Sequence, residues 1–383
     1  MGVAEGTGEI GAGAAAVPLK RYYWVDFLRG AAAVMVLIRH YQDFYLPRPG
    51  IMQYAHPEEQ PFHWLIWPLY DYGFVAVPLF WIISGFVFTT VYLDTRPTAR
   101  EFFVNRFARL YPLHFATLIV VALLQAYSMA RFGTWQVLEN NDLRHFILNV
   151  LFISNWGFER GYSFNGPIWS VSVELFIYIL FFLGLGIINR FRAWPVVLAA
   201  AASLAILLSG GPVWFSACGL SFFIGCGLFF LHKRLAHSPE WTLLVALGVA
   251  LLALAGVGLM PGYYEKLVPL AFCFMAVVMA AAAADQIDVL GIARRIRAFG
   301  DMTYSIYLVH LPLQIAVLVL FETFGLDKRA IASTAAFFFA FNALVFLVSW
   351  ASYRWFERPA RDYFRRFAAP AAVQPPDKSP SAA

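Results

Sequence analysis

Apolar runs of about twenty residues recur along this chain, and they leave its backbone few options. About twenty apolar residues cross the hydrocarbon core of a bilayer as one helix. In that core every peptide N–H and C=O must be satisfied internally, which only helices and closed barrels achieve. The runs are continuous rather than alternating, so a helix bundle is expected and a β-barrel is not. Of the 383 residues, 61% are hydrophobic and 13% charged, where a soluble domain carries about 25% charged. The net charge of +5 is modest. Basic loops at a membrane account for it, so the bilayer is an expected partner and nucleic acid is not.

Basic loops also orient the chain. Lys20 and Arg21 precede the first run, which places the N-terminus in the cytoplasm by the positive-inside rule. Spans are expected at about 24–45, 65–92, 110–130, 168–188, 194–210, 213–231, 241–260, 266–285, 302–322 and 330–352. The run from Phe146 to Ile153 is too short to cross, so 143–155 reads as a re-entrant or interfacial helix on the outer side. Counted that way, Arg190 and Arg192, Lys233 and Arg234, and Arg294, Arg295 and Arg297 all face the cytoplasm, while Lys328 and Arg329 go against the pattern. The expected fold is all-α: a polytopic membrane bundle of about ten transmembrane helices plus the short one, both termini cytoplasmic, in the plasma (inner) membrane. Residues 1–20 read as a flexible cytoplasmic leader without the basic n-region of a signal peptide. Residues 21–366 form the membrane domain, and the Ala/Pro-rich 367–383 reads as a disordered tail. Cys218, Cys226 and Cys273 lie inside apolar runs with no zinc or disulfide spacing, as small buried hydrophobes do.

Charges inside such runs are expensive, about +2.5 to +3.5 kcal/mol for an Arg or Asp at mid-helix. The first run nevertheless holds Asp26, Arg29, Arg39 and His40. Arg29 and His40 are close to three whole turns apart, so one helix puts them on one face, roughly 16 Å apart along its axis. His40 is a general-base candidate, or a histidine bonded within the bundle. Arg29 is suited to holding a phosphate or an acyl oxygen, or else to snorkelling and pairing with Asp26. Asp26 is open between supporting Arg29 and capping the helix start. Arg39 and Asp43 read as a structural pair.

Further along, Ser84-Gly85 permits a close backbone approach between helices. Arg106 and Arg109 share a face as the third span begins, for anchoring or for capturing an anionic donor. In the fourth span Ser170, Glu174 and Tyr178 follow one another by single turns. Glu174 stands near the expected depth of His40, to orient an imidazole, bind an acceptor hydroxyl or bond another helix. The ninth span carries Tyr304, Tyr307 and His310, and Pro312 frees a backbone carbonyl one turn earlier. Glu357-Arg-Pro359 closes the last span.

In their joint order these segments resemble the acyltransferase-3 family of integral-membrane O-acyltransferases. The Leu28-Arg-Gly30 to His40 helix, the Ser84-Gly-Phe86 helix, Arg106-x-x-Arg109, the Trp169-Ser-x-Ser-x-Glu174 helix start, Tyr304-Ser-x-Tyr-Leu-x-His310-x-Pro312 and Glu357-x-Pro359 carry the resemblance. It implies transfer of an acyl group, usually acetyl, from acyl-CoA to a hydroxyl of a carbohydrate or similar acceptor. Acyl-CoA is then a donor substrate, and no permanently bound cofactor or metal is expected. The resemblance implies that Arg29 and His40 are essential and associates Arg106 and Arg109 with the cytoplasmic donor side. Read with it, Glu174 helps His40, Ser84 joins the donor contacts, and Asp26, Tyr178, Tyr307 and His310 support the site. Some members carry an added soluble hydrolase-type domain. This chain has a short tail instead, so its membrane domain works alone or with a separate extracytoplasmic partner. Direct transfer and an acyl-enzyme route both remain open. The alternative is a transporter or flippase for a polar solute or glycan. Internal repeats mark many such folds, and none is visible here.

Overall fold

The computed structural model describes residues 21–51, 57–260, 266–288, 291–295 and 297–368. The expected leader, 1–20, and the tail from 369 on lie outside the described residues. Among the described residues every regular element is helical. The order is α1 (Tyr23–Tyr41), a 3-10 turn (Gln42–Tyr45), α2 (His63–Tyr72), α3 (Ala76–Tyr92), α4 (Ala99–Phe132), α5 (Leu143–Val150), α6 (Ile168–Phe191), α7 (Ala193–Leu208), α8 (Val213–Leu235), α9 (Pro239–Leu259) and α10 (Leu267–Ile287). Then come two short helices, α11 (Ile292–Arg295) and α12 (Arg297–Asp301), followed by α13 (Thr303–Thr323), α14 (Lys328–Ala332), α15 (Ala335–Ser352), a π-helical turn (Tyr353–Glu357) and α16 (Arg358–Arg365).

All ten apolar runs are helices, and among the described residues eight are long and apolar enough to cross a membrane. The other two are α1, charged at Asp26, Arg29 and Arg39, and α7, sixteen residues long. The chain is a multi-pass membrane bundle. Its outer faces suit lipid: α9 exposes Leu244, Leu247, Leu251, Leu252 and Leu254. The short helix α5 has eight residues, and Asp142 caps it by accepting the His145 N–H at 2.9 Å. It is too short to cross, in keeping with the sequence.

Two boundaries differ from expectation. Helix α4 begins at Ala99 rather than near 110, because Thr98 and Glu101 close a capping box ahead of its arginines. The last span does not stop at 352. It continues through the π-turn into α16, which packs on α4.

Close backbone contacts set the interior. A Cβ at Gly85 would run into the Phe222 carbonyl, and one at Gly225 into the Ile82 carbonyl, so α3 and α8 touch backbone to backbone. Helix α1 packs against α2, α3, α10, α12 and α13, and is therefore central. Its first amides are capped from α10: Asp285 accepts the Tyr23 N–H at 2.9 Å and the Trp24 N–H at 3.1 Å. That leaves Asp26 for the site.

Candidate active site

Two cavities are stacked along α1. The larger, about 490 Å³, is lined from α1 by Asp26 and Arg29, from α3 by Ser84, from α4 by Arg106 and Arg109, and from α6 by Glu174 and Tyr178. The smaller, about 390 Å³, is lined by Arg39 and His40 at the other end of α1, by Asp43, and by the aromatic rings of Phe74, Tyr162, Trp169 and Trp214. Tyr307 of α13 is the one described residue common to both linings. The eleven-residue spacing of Arg29 and His40 thus puts one in each cavity, on one helix.

The larger cavity is cationic. Arg21, Arg29, Arg106, Arg109, Arg361 and Arg365 line it, with Asp26, Glu174 and Asp301 as its carboxylates. Asp26 accepts from Arg21 Nε at 2.6 Å and stands 3.7 Å from Arg29 Nη1. Asp301 takes a second nitrogen of Arg21, also at 2.6 Å. Arg109 pairs at 2.7 Å with Glu357, whose other oxygen accepts from Ser305 at 2.7 Å. Arg106 lies over the Phe88 ring, 4.7 Å from its centroid, and Phe88 stacks on Tyr178 at 4.2 Å. The buried Arg106 Nε has no hydrogen-bond partner among the described residues. Glu174 is 7% exposed, with Ser84, Tyr178, Arg29 and Arg106 around it, and its Oε1 is unpartnered. A donor and an acceptor with unused hydrogen-bonding capacity thus line the same cavity.

The smaller cavity is built around His40. Its Nδ1 is 3.0 Å from Asp43 Oδ2, and Asp43 is 1% exposed against 30% for His40. A carboxylate can only accept, so in the neutral ring Nδ1 carries the proton and Nε2 presents a lone pair. Gln314 of α13 donates to the His40 carbonyl at 2.7 Å and fixes the backbone. The His310 ring lies 5.1 Å from that of His40. His310 Nδ1 bonds the Ile306 carbonyl at 3.0 Å, which leaves its buried Nε2 without a partner. Trp169 and Trp214 pack 4.6 Å apart as a tilted aromatic wall.

The partition is held in place. Tyr307 donates to the Pro167 carbonyl at 2.9 Å, at the start of α6, and its hydroxyl is 2.7 Å from Ser170 Oγ. Its ring packs edge-on against Phe80. The carbonyl that Pro312 frees, that of Leu308, accepts from the buried Asn165 at 3.0 Å.

The sequence candidates therefore divide. Arg29, Ser84, Arg106, Arg109, Glu174, Tyr178 and Asp26 line one cavity, and His40 lines the other with Tyr307 between them. Glu174, expected to help His40, faces the arginines. The carboxylate on the imidazole is Asp43, which the sequence reading assigned to Arg39. Arg361, Arg365, Gln314 and Asn165 were missed. For the two arginines the i, i+4 spacing was the available signal.

A profile described as an acyltransferase domain matches residues 22–354. YrhL of Bacillus subtilis, named as a peptidoglycan O-acetyltransferase, is 27% identical over 292 residues, 63% of this chain and 44% of that protein. Acyltransferase MdmB of Streptomyces mycarofaciens is 28% identical over 142 residues, 34% of each chain. Protein 2 in the picA locus of Rhizobium radiobacter is 30% identical over 114 residues, 29% of this chain and 47% of that protein. Each match spans under half of the relative's own length. No solved structure matches the chain significantly. The profile match covers most of the chain, including α1, α3, α4, α6 and α13, which line the two cavities, and places it in the acyltransferase-3 family of membrane acyltransferases.

Proposed function

We propose that this protein moves an acyl group, acetyl in the first instance, from acyl-CoA to a hydroxyl of a carbohydrate or related acceptor. The observation that carries this reading is the pair of cavities meeting at Tyr307, one lined by arginines and the other by a His40–Asp43 pair. Acyl-CoA has an anionic end and an extended thioester arm, and a cationic cavity that shares Tyr307 with the cavity of a base suits both. We place the arginine cavity at the cytoplasmic face and the histidine cavity at the opposite one, in the plasma membrane. The basic loops support that orientation.

The chemistry follows from the proton on His40 Nδ1. With Asp43 holding it, Nε2 is free to take the proton of the acceptor hydroxyl. The oxygen attacks the thioester carbonyl, the C–S bond breaks, and the imidazolium returns its proton to the departing thiolate. The products are the ester and free CoA. During the step the charge on His40 is balanced by Asp43, and the His310 Nε2 lone pair is available to the new N–H. Glu174 Oε1 can accept from an amide of the donor's arm, and Arg29 from beside it can hold an acyl or phosphate oxygen. The aromatic wall of Trp169, Trp214 and Tyr162 suits the apolar face of a sugar ring. A separate extracytoplasmic partner fits here as the carrier of the glycan.

Purified protein supplied with labelled acetyl-CoA and a panel of glycans tests this. Glycan acylation, or slow thioester hydrolysis without acceptor, is expected. Acceptor movement across vesicles with no acyl transfer would instead establish a transporter.

A further inference from the structure

The acyltransferase profile ends at residue 354, yet the arginine cavity does not. Its lining continues with Arg361 and Arg365. They belong to α16, which follows the π-helical turn Tyr353–Glu357. Such turns shift the helix face by the extra residue, and they recur at functional sites. Here Glu357, Arg361 and Arg365 follow at i, i+4 and i+8, on one face. Glu357 is 3% exposed and locks that face to α4 through Arg109. Phe364 packs edge-on against Phe107 of α4 at 5.3 Å. The next two turns are thereby carried to the cavity mouth.

The charges there do not balance. Arg365 faces Arg361, Arg106 and Arg109, with Asp362 as the nearby carboxylate. Asp362 stands 3.7 Å from Arg361 Nε and 3.9 Å from Arg358 Nε, so it is shared on its exposed side. Asp26 and Asp301 are engaged by Arg21, and Glu357 by Arg109. Arg106 and Arg365 have no carboxylate within ion-pair distance among the described residues. Independently, the buried Nε of Arg106 is without a partner inside the same cavity. Holding Arg106 and Arg365 beside the paired Arg109 and Arg361 without carboxylates of their own is costly in a partly desolvated site, and an anion bound among them removes that cost.

We infer that Arg361 and Arg365, with Arg106, form a phosphate-binding subsite at the cavity mouth, which grips the phosphorylated nucleotide end of the acyl donor. This rests on the donor reading given above. It adds that the helix beyond the family match completes the donor site. Guanidinium groups suit phosphate because their planar forks donate in pairs. An anionic lipid headgroup presents the same chemistry, so the test separates the two sources.

Full-length protein in phosphatidylcholine nanodiscs is titrated with CoA, 3′-dephospho-CoA and phosphate-free pantetheine. The wild type is expected to bind CoA more tightly than pantetheine. Arg361→Ala/Arg365→Ala is expected to weaken CoA binding by about tenfold or more, the loss of charged hydrogen bonds, and to leave pantetheine binding unchanged. Retained pantetheine binding also shows that the variant is folded. Arg361→Lys/Arg365→Lys keeps the charges but loses the paired donors, and is expected to bind CoA more tightly than the alanine pair and more weakly than wild type. Equal losses for CoA and pantetheine, or no loss for CoA, overturn the subsite. An effect that appears only when phosphatidylglycerol is added assigns the arginines to lipid and also overturns it. A wild type that binds none of the three compounds overturns the donor reading itself, and the subsite with it.

Discussion

His40 lies where α1 stops being an α-helix. The chain tightens into the 3-10 turn Gln42–Tyr45 just after it, and side chains three apart eclipse in that geometry. Asp43 is thereby drawn beneath the imidazole, 3.0 Å from Nδ1. Asp43→Asn is expected to keep the fold and lower kcat by about 10²-fold or more, the usual scale of general-base assistance. KM for donor and acceptor should stay near wild type. His310 offers a sharper contrast. His310→Asn keeps a donor for the Ile306 carbonyl but loses the Nε2 acceptor, whereas His310→Gln can place an oxygen near the Nε2 position. Steady-state kinetics should rank Gln above Asn, and the reverse order would reduce His310 to a structural role. At this scale the sequence was legible where spacing on a regular helix decides, as for Arg29 and His40. It was not legible for the Asp43 contact with His40, because the α to 3-10 change is what brings that carboxylate to the imidazole. Nor was it legible at Glu174: equal depth was expected to bring it to His40, and the Tyr307 partition keeps it on the arginine side.

The elements owe their placement to small residues and caps. Where α3 crosses α8, the Gly85 and Gly225 backbones each meet a carbonyl of the other helix. Gly85→Val forces the helices apart, at a cost of about 1–3 kcal/mol or more. The yield of monodisperse protein and its melting temperature in detergent should both fall. Ser84 borders the arginine cavity from the same turn, so residual activity should fall as well. The apolar runs declared the helices themselves, including the one too short to cross. The start of α4 was hidden because Arg100, Arg106 and Arg109 interrupt its hydropathy. The Thr98-x-x-Glu101 capping box was the readable sign. The turn into α16 had no such sign, since a π-helical turn arises from packing rather than composition.

At the scale of the whole molecule, Tyr307 stands between the arginine cavity and the histidine cavity. Tyr307→Ala removes the side chain between the two cavities while leaving their other lining residues unchanged. Hydrolysis of acyl-CoA in the absence of acceptor is expected to rise relative to transfer, as water gains a path to the thioester. The proposed sidedness is equally open to measurement. With Cys218, Cys226 and Cys273 replaced, a single cysteine at Asp94, between α3 and α4, should react with an impermeant reagent only after the cells are opened. One at Leu326, between α13 and α14, should react in intact cells. Overall bundle class followed from hydropathy alone, but the division into chambers depends on which helices touch, and no run of sequence encodes that locally.

We propose that His40 drives acyl transfer between the two cavities. It is tested most directly by the rate at which purified His40→Ala, in lipid at matched protein content, moves labelled acetyl from acetyl-CoA to an acceptor that the wild type acylates. A fall of about 10²-fold or more is expected, with CoA binding in the arginine cavity preserved. A wild-type rate from His40→Ala would contradict it.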